Sequence, residues 1–165
     1  AAFRQIRIHI DNQQIFWADG ADPSLPNVGT VRRAPVGPMV SATTVWTGLP
    51  FNTMEGFDLS FSTGEIFWVR DTNIIEKGNI DGTGMISTVI SGASVGTNLE
   101  DIVVDRTNNK IIWQDLATDT IRSANLDGSN IMTIIDGGVG GFSLSNGLAI
   151  SNPDLPVQLQ SIFIE

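Results

Sequence analysis

The sequence predicts an all-β fold: a β-propeller of four-stranded antiparallel blades, about three and a half per chain, its ring completed by a second chain. Three observations carry this. An apolar pair followed by tryptophan recurs as Ile15-Phe16-Trp17, Ile66-Phe67-Trp68 and Ile111-Ile112-Trp113, the tryptophans lying 51 and 45 residues apart. A downstream motif keeps step, from Asn79-Ile80-Asp81-Gly82 to Asn125-Leu126-Asp127-Gly128. A period of roughly 40–50 residues made of short strands belongs to propeller blades. The composition agrees: 41 % hydrophobic, 16 % charged and 17 glycines in 165 residues suit a turn-rich β chain.

The chain reads as one propeller domain over 1–165, with blades at about 3–46, 54–91 and 99–136 and a partial blade at 145–165. In the first, Ile6, Ile8 and Ile10 alternate with Arg7 and His9, a period-2 strand. Asp11-Asn12-Gln13 turns the chain into the Trp17 strand, a Pro-containing insertion spans Gly20 to Gly29, and Thr30 to Ala34 matches Thr120 to Ala124. Val40 to Trp46 is the expected outer strand. The second blade is expected as Gly56–Ser60, Glu65–Arg70, Ile74–Ile80 and Met85–Ile90. The third is expected as Glu100–Asp105, Lys110–Asp115, Thr120–Leu126 and Ile131–Asp136. Arg106-Thr107-Asn108-Asn109 and Asp127-Gly128 supply its turns, and Gly137 to Gly141 reads as a flexible inter-blade connection. Gly147 to Ser151 repeats Asp101 to Asp105, and Ser161 to Ile164 stands where a second strand of a fourth repeat belongs. No helix of useful length is expected.

Propellers close as rings of about four to eight blades. Three and a half would leave apolar faces and strand edges open at both ends. A homodimer closing one ring is the expectation. A fragment of a longer chain and an open solenoid with polar caps are the competing readings, the last opposed by the apolar terminal strands.

Net charge is −9, with nine Lys and Arg. Nucleic-acid binding needs clustered cations to neutralise phosphate, so neither nucleic acid nor an anionic membrane surface is an expected partner. There is no cysteine, which excludes disulfides and thiolate metal sites. With no apolar leader run or glycosylation sequon, a cytoplasmic location is expected, secretion staying open.

With the repeats laid out, the chain resembles the YWTD β-propellers of the low-density-lipoprotein-receptor type. The strand motif is present as Phe16-Trp17-Ala18-Asp19, Phe67-Trp68-Val69-Arg70-Asp71 and Ile112-Trp113-Gln114-Asp115, and the turn motif most fully as Ile121 to Gly128. There is no tyrosine, and Arg70 takes the acid's place in the second blade. The resemblance implies structural roles for Trp17, Trp68, Trp113, Asp19 and Asp115. The chain is also similar to metal-dependent lactonases of the gluconolactonase and senescence-marker type, through Met54-Glu55-Gly56-Phe57, Gly64 to Val69 and Asn146-Gly147-Leu148-Ala149. That likeness implies Glu55 and Asn146 as ligands of a central divalent cation.

Glu55, Glu100 and Asn146 share one repeat position, 45 and 46 residues apart, which opens the innermost strand of each repeat. Three oxygen donors at one channel mouth would suit a hard cation such as Ca²⁺ or Mg²⁺, with Asn52 and Asn98 just upstream. The plain alternative is that these side chains cap strand starts and face water. Asp101 is a candidate general base; His9, the sole histidine, reads as structural. No Gly-x-Ser-x-Gly, cysteine nucleophile or phosphate loop is present. Two function classes follow: a ligand-binding or scaffold propeller recognising a small molecule or peptide at the channel mouth, and a metal-dependent hydrolase or lyase using Glu55, Glu100 and Asn146.

Overall fold

The computed structural model describes residues 3–9, 13–19, 29–38, 40–49, 54–141, 144 and 147–150, and at 3–5, 7–9, 19, 48–49 and 54–55 it describes the backbone alone. Three four-stranded antiparallel sheets follow one another, each in simple up-and-down order. The first contains β1 (Phe3–His9), β2 (Gln14–Asp19), β3 (Gly29–Pro35) and β4 (Thr43–Leu49). The second contains β5 (Met54–Ser60), β6 (Glu65–Arg70), β7 (Ile74–Asn79) and β8 (Ser87–Ser91). The third contains β9 (Leu99–Asp105), β10 (Lys110–Asp115), β11 (Thr120–Asn125) and β12 (Met132–Asp136). Strand β1 lies beside β5, and β5 beside β9. The first strands therefore crowd together as the innermost strands of three blades.

Strand β6 shows why these segments pack as blades. Ile66, Phe67, Trp68 and Val69 are all fully buried, which a strand achieves only when both of its faces are covered. Successive side chains point to opposite faces, and the two sets enter different cores. Ile66 and Trp68 join Phe16, Ala18, Val31 and Val45 of the first blade. Phe67 and Val69 join Ile102, Val104, Ile111, Trp113 and Ala124 of the third. The core thus lies between blades, and each fully buried large side chain in it contributes about 1.5–3 kcal/mol.

Polar stitches fix the spacing. Trp113 Nε1 donates to the Val95 carbonyl at 2.8 Å, tying β10 to the connector that precedes its own blade. Asp115 is fully buried; its Oδ1 accepts from the N–H groups of Asn98 and Ala117, both at 3.1 Å, and Oδ2 accepts from Thr118 Oγ1 at 2.9 Å. The second blade solves the same problem differently. Trp68 Nε1 donates to Glu76 Oε2 at 3.1 Å, and Arg70, in the acid's place, pairs with Glu76 at 3.3 Å. Trp68, Trp113 and Asp115 are buried and hydrogen-bonded within the packing, in line with the structural roles that the resemblance implied; Trp17 is half-buried, and the Asp19 side chain lies outside the description.

The Asp-Gly turns form the outer joints. Ser129 donates through N–H and Oγ to Asp127 Oδ1 at 2.9 and 2.6 Å, and Thr83 does the same to Asp81 Oδ1 at 2.9 and 2.7 Å. The glycines that follow have φ of 81° at Gly82 and 86° at Gly128, a region that side chains rarely adopt. A Cβ on Gly82 would overlap the Val45 carbonyl oxygen, and one on Gly128 the Val89 carbonyl oxygen. Each turn therefore abuts the outer strand of the preceding blade, and glycine is needed twice over.

Several expected boundaries change: β5 is Met54–Ser60 rather than Gly56–Ser60, and β8 is Ser87–Ser91 rather than Met85–Ile90. The outer strand of the first blade is Thr43–Leu49 rather than Val40 to Trp46, because Trp46 pairs with Val31 at mid-strand and Leu49 with Gly29 at its end. Gly137–Gly140, expected as part of a flexible inter-blade connection, forms a helical turn: Asp136 caps it by accepting from Val139 N–H at 3.2 Å. Of the fourth repeat, 147–150 are described without strand pairing, and 151–165, including Ser161 to Ile164, lie outside the described residues.

Candidate functional site

The innermost strands carry a shared irregularity at the sequence-predicted position. Met54 pairs with Arg70 and Phe57 with Trp68, so Glu55 and Gly56 together oppose Val69. Leu99 pairs with Asp115 and Ile102 with Trp113, so Glu100 and Asp101 together oppose Gln114. Phe3 pairs with Asp19 and Gln5 with Ala18, which puts the same extra residue at Arg4. Each is a β-bulge, and bulges commonly re-aim side chains beside functional sites. The backbone thus gives Arg4, Glu55 and Glu100 equivalent places on three adjoining strands.

Arg4 was not among the residues singled out from the sequence. Its signal was available: Arg4 precedes Glu55 by 51 residues, the same interval that separates Trp17 from Trp68. Of the residues that were singled out, Glu55 lies in β5 and Glu100, part-buried, in β9. Asn98 stands just before β9, its N–H donating to Asp115 and its carbonyl accepting from Leu116 N–H at 2.9 Å. Asn52 and Asn146 lie outside the described residues, as does the side chain of His9.

The other inner-strand acids serve the packing. Asp101 is buried; Oδ1 accepts from its neighbour Ile102 N–H at 2.8 Å, and Oδ2 accepts from Leu148 N–H at 2.9 Å. Both oxygens of this candidate general base accept from backbone donors. Asp58 works the same way: Oδ2 accepts from Val104 N–H at 2.8 Å, and the Arg106 guanidinium stands 4.0 Å from Oδ1. A Cβ on Gly56 would lie 2.6 Å from Asp101 Oδ1, so the small residue after Glu55 lets β5 and β9 approach. Among the described residues no three His, Cys, Asp or Glu side chains group as a metal site.

No family model matches the sequence, and no curated protein matches it. Solved structures do. The chain superposes on a structure from a nidogen/laminin complex with a TM-score of 0.67 at 20 % identity, over 81 % of this chain and 48 % of that one. It superposes on regucalcin, a calcium-binding protein from Agrobacterium tumefaciens, with a TM-score of 0.61 at 13 % identity, over 79 % and 44 %. The WD40 β-propeller domain of Doa1 matches with a TM-score of 0.55 at 13 % identity, over 76 % and 38 %. The fold is a β-propeller. The chain spans about half, or less, of the length of each of these structures. No described helix is long and apolar enough to cross a membrane.

Proposed function

We propose that this propeller is a ligand-binding or scaffold module that takes a small molecule or peptide at the mouth of its central channel, in a ring completed by a second copy of the chain. One observation carries the reading: the three bulges put Arg4, Glu55 and Glu100 at equivalent places on adjoining innermost strands. A set holding both signs of charge suits a ligand with both signs, such as an amino acid or the end of a peptide. A cation is served less well by a set that includes a positive residue. The similarity to a structure from a nidogen/laminin complex supports a protein-binding use of the scaffold. Fold alone decides little, since one scaffold hosts unrelated functions.

The second reading is a metal-dependent hydrolase or lyase in which Glu55, Glu100 and Asn146 hold Ca²⁺ or Mg²⁺. It is favoured by the similarity to calcium-binding regucalcin. In it the cation would polarise a carbonyl or activate water. Isothermal titration separates the two. Amino acids and short peptides should give saturable heat that Arg4→Ala and Glu100→Ala each weaken about tenfold or more, while Ca²⁺, Mg²⁺, Mn²⁺ and Zn²⁺ give none. Saturable cation binding abolished by both Glu55→Ala and Glu100→Ala would replace the first reading with the second.

A further inference from the structure

At the level of the bulge, the second strand of each blade turns one side chain toward the blade that follows. In the first blade it is Ala18 and in the second Val69, each buried in the apolar core shared with the next blade. In the third blade the place belongs to Gln114. It opposes the Glu100–Asp101 bulge and pairs with Ile121, as Val69 opposes Glu55 and Gly56 and pairs with Ile75. Trp113 faces the core with the second blade, so its neighbour Gln114 faces the other way, beside Ile112. Gln114 is 1 % exposed, and its Nε2 meets no hydrogen-bond acceptor among the described residues. A buried amide donor without an acceptor is destabilising, and folded chains rarely leave one.

The same chain already reaches this spot. Leu148 N–H donates to Asp101 Oδ2 at 2.9 Å, and Leu144 N–H donates to Asp119 Oδ1 at 3.0 Å. Asp101 belongs to the bulge opposite Gln114, and Asp119 to the turn that leads from β10 into β11. The two contacts therefore fall on both flanks of the amide. Residues 151–165 continue from there, and their sequence offers Val157, Leu159, Ile162 and Ile164 to the part-buried Ile112 and Ile121, with glutamine and backbone oxygens interspersed.

We infer that 151–165 lies on the inner half of the third blade's trailing face and supplies the oxygen that accepts from Gln114 Nε2. This seam then has a polar centre where the two before it are apolar. The segment is favoured over any separate polypeptide because it starts beside the face it covers, and tethering raises its local concentration. An apolar residue at 114 would receive the segment in any register; the amide rewards the one that brings it an oxygen. The inference goes beyond the ligand-binding reading and holds however the ring is closed.

Two measurements on the full chain test it. Gln114→Met keeps the length of the side chain and removes the donor, stranding the accepting oxygen, so Tm should fall by roughly 3–10 °C. An unchanged or raised Tm means that the amide had no acceptor, and overturns the inference. The second measurement uses the absence of cysteine. In Ile112→Cys with Ile162→Cys a disulfide should form within one chain under mild oxidation, read by mass spectrometry of the unreduced digest and by the unreduced mass on a denaturing gel. Met85→Cys with Ile162→Cys is the control, Met85 being 90 % exposed in the loop before β8, and it should stay mostly reduced. Equal cross-linking of the two pairs shows a segment that does not dock, and overturns the inference. No disulfide through position 112, or one that joins two chains, gives the face to another occupant and overturns it as well. If Gln114→Met fails to fold by far-ultraviolet circular dichroism, the two cysteine pairs decide alone.

Discussion

Replacing Gly128 with alanine should loosen the joint between the second and third blades, and the size of the loss can be worked from its two causes. At φ of 86° an L-residue costs about 1–2 kcal/mol. The new Cβ would also overlap the Val89 carbonyl oxygen and lie 3.1 Å from Ile90 Cγ1, and relieving such overpacking in a close-packed seam costs about 1–3 kcal/mol more. The sum, about 2–5 kcal/mol, corresponds to a Tm lowered by roughly 5–15 °C for a chain of this size. Gly64 isolates the first cause: its φ is 69°, with nothing within 4 Å of an added Cβ. Gly64→Ala should therefore cost only about 1–2 kcal/mol. Urea unfolding followed by tryptophan fluorescence, at one fixed protein concentration because association would shift the midpoint, gives both values. If the two variants lose the same stability within about 0.5 kcal/mol, the Asp-Gly turns do not bear on the preceding blades, and the packing argument for the outer joints fails.

Three other outcomes are expected. Asp115→Ala should destabilise the chain by about 1–3 kcal/mol, because the part-buried N–H groups of Asn98 and Ala117 lose their acceptor; thermal melts of the variant check this. Arg70→Ala should cost about 2 kcal/mol by stranding the buried Glu76 carboxylate, and Arg70→Ala with Glu76→Gln should cost less than the sum of the singles, which a double-mutant cycle measures. The Ser129 hydroxyl and then its N–H hold the Asp127 carboxyl below its ordinary 3.8, and Thr83 does the same for Asp81. A depressed folded-state value means the contribution is present above 3.8 and lost as pH falls through the lower folded value. Between roughly pH 5 and pH 2 the double variant Asp81→Asn with Asp127→Asn should lose less Tm than the unmodified chain; parallel melting curves would show the turns make no such contribution.

Much of the blade architecture was legible because its signals are local. Strands β6 and β10 run Glu65–Arg70 and Lys110–Asp115, where the apolar run and its flanking turns placed them. The Asp-Gly turns were legible for the same reason. The outer strand of the first blade was not: Pro35-Val36-Gly37-Pro38 replaces the Asp-Gly signal, and Val40 to Ala42 gives no mark of where pairing begins. Strand pairing, which needs the partner's register, moves it to Thr43. Arg4 was missed because the first repeat contains an insertion and its interval to the second differs from the next by six residues. The equivalence of Glu55 and Glu100 needed only a constant interval; that of Arg4 needed the register of β1 against β2.

The three bulges have an evolutionary corollary. A bulged strand sets two residues against one on its partner, so the extra residue is surplus to the hydrogen-bonded ladder. Positions 4, 55 and 100 can therefore exchange charge, size or polarity while Ile6, Phe57 and Ile102 keep the walls intact. Selection could retune the charge of this rim, residue by residue, without renegotiating the stability of the scaffold beneath it.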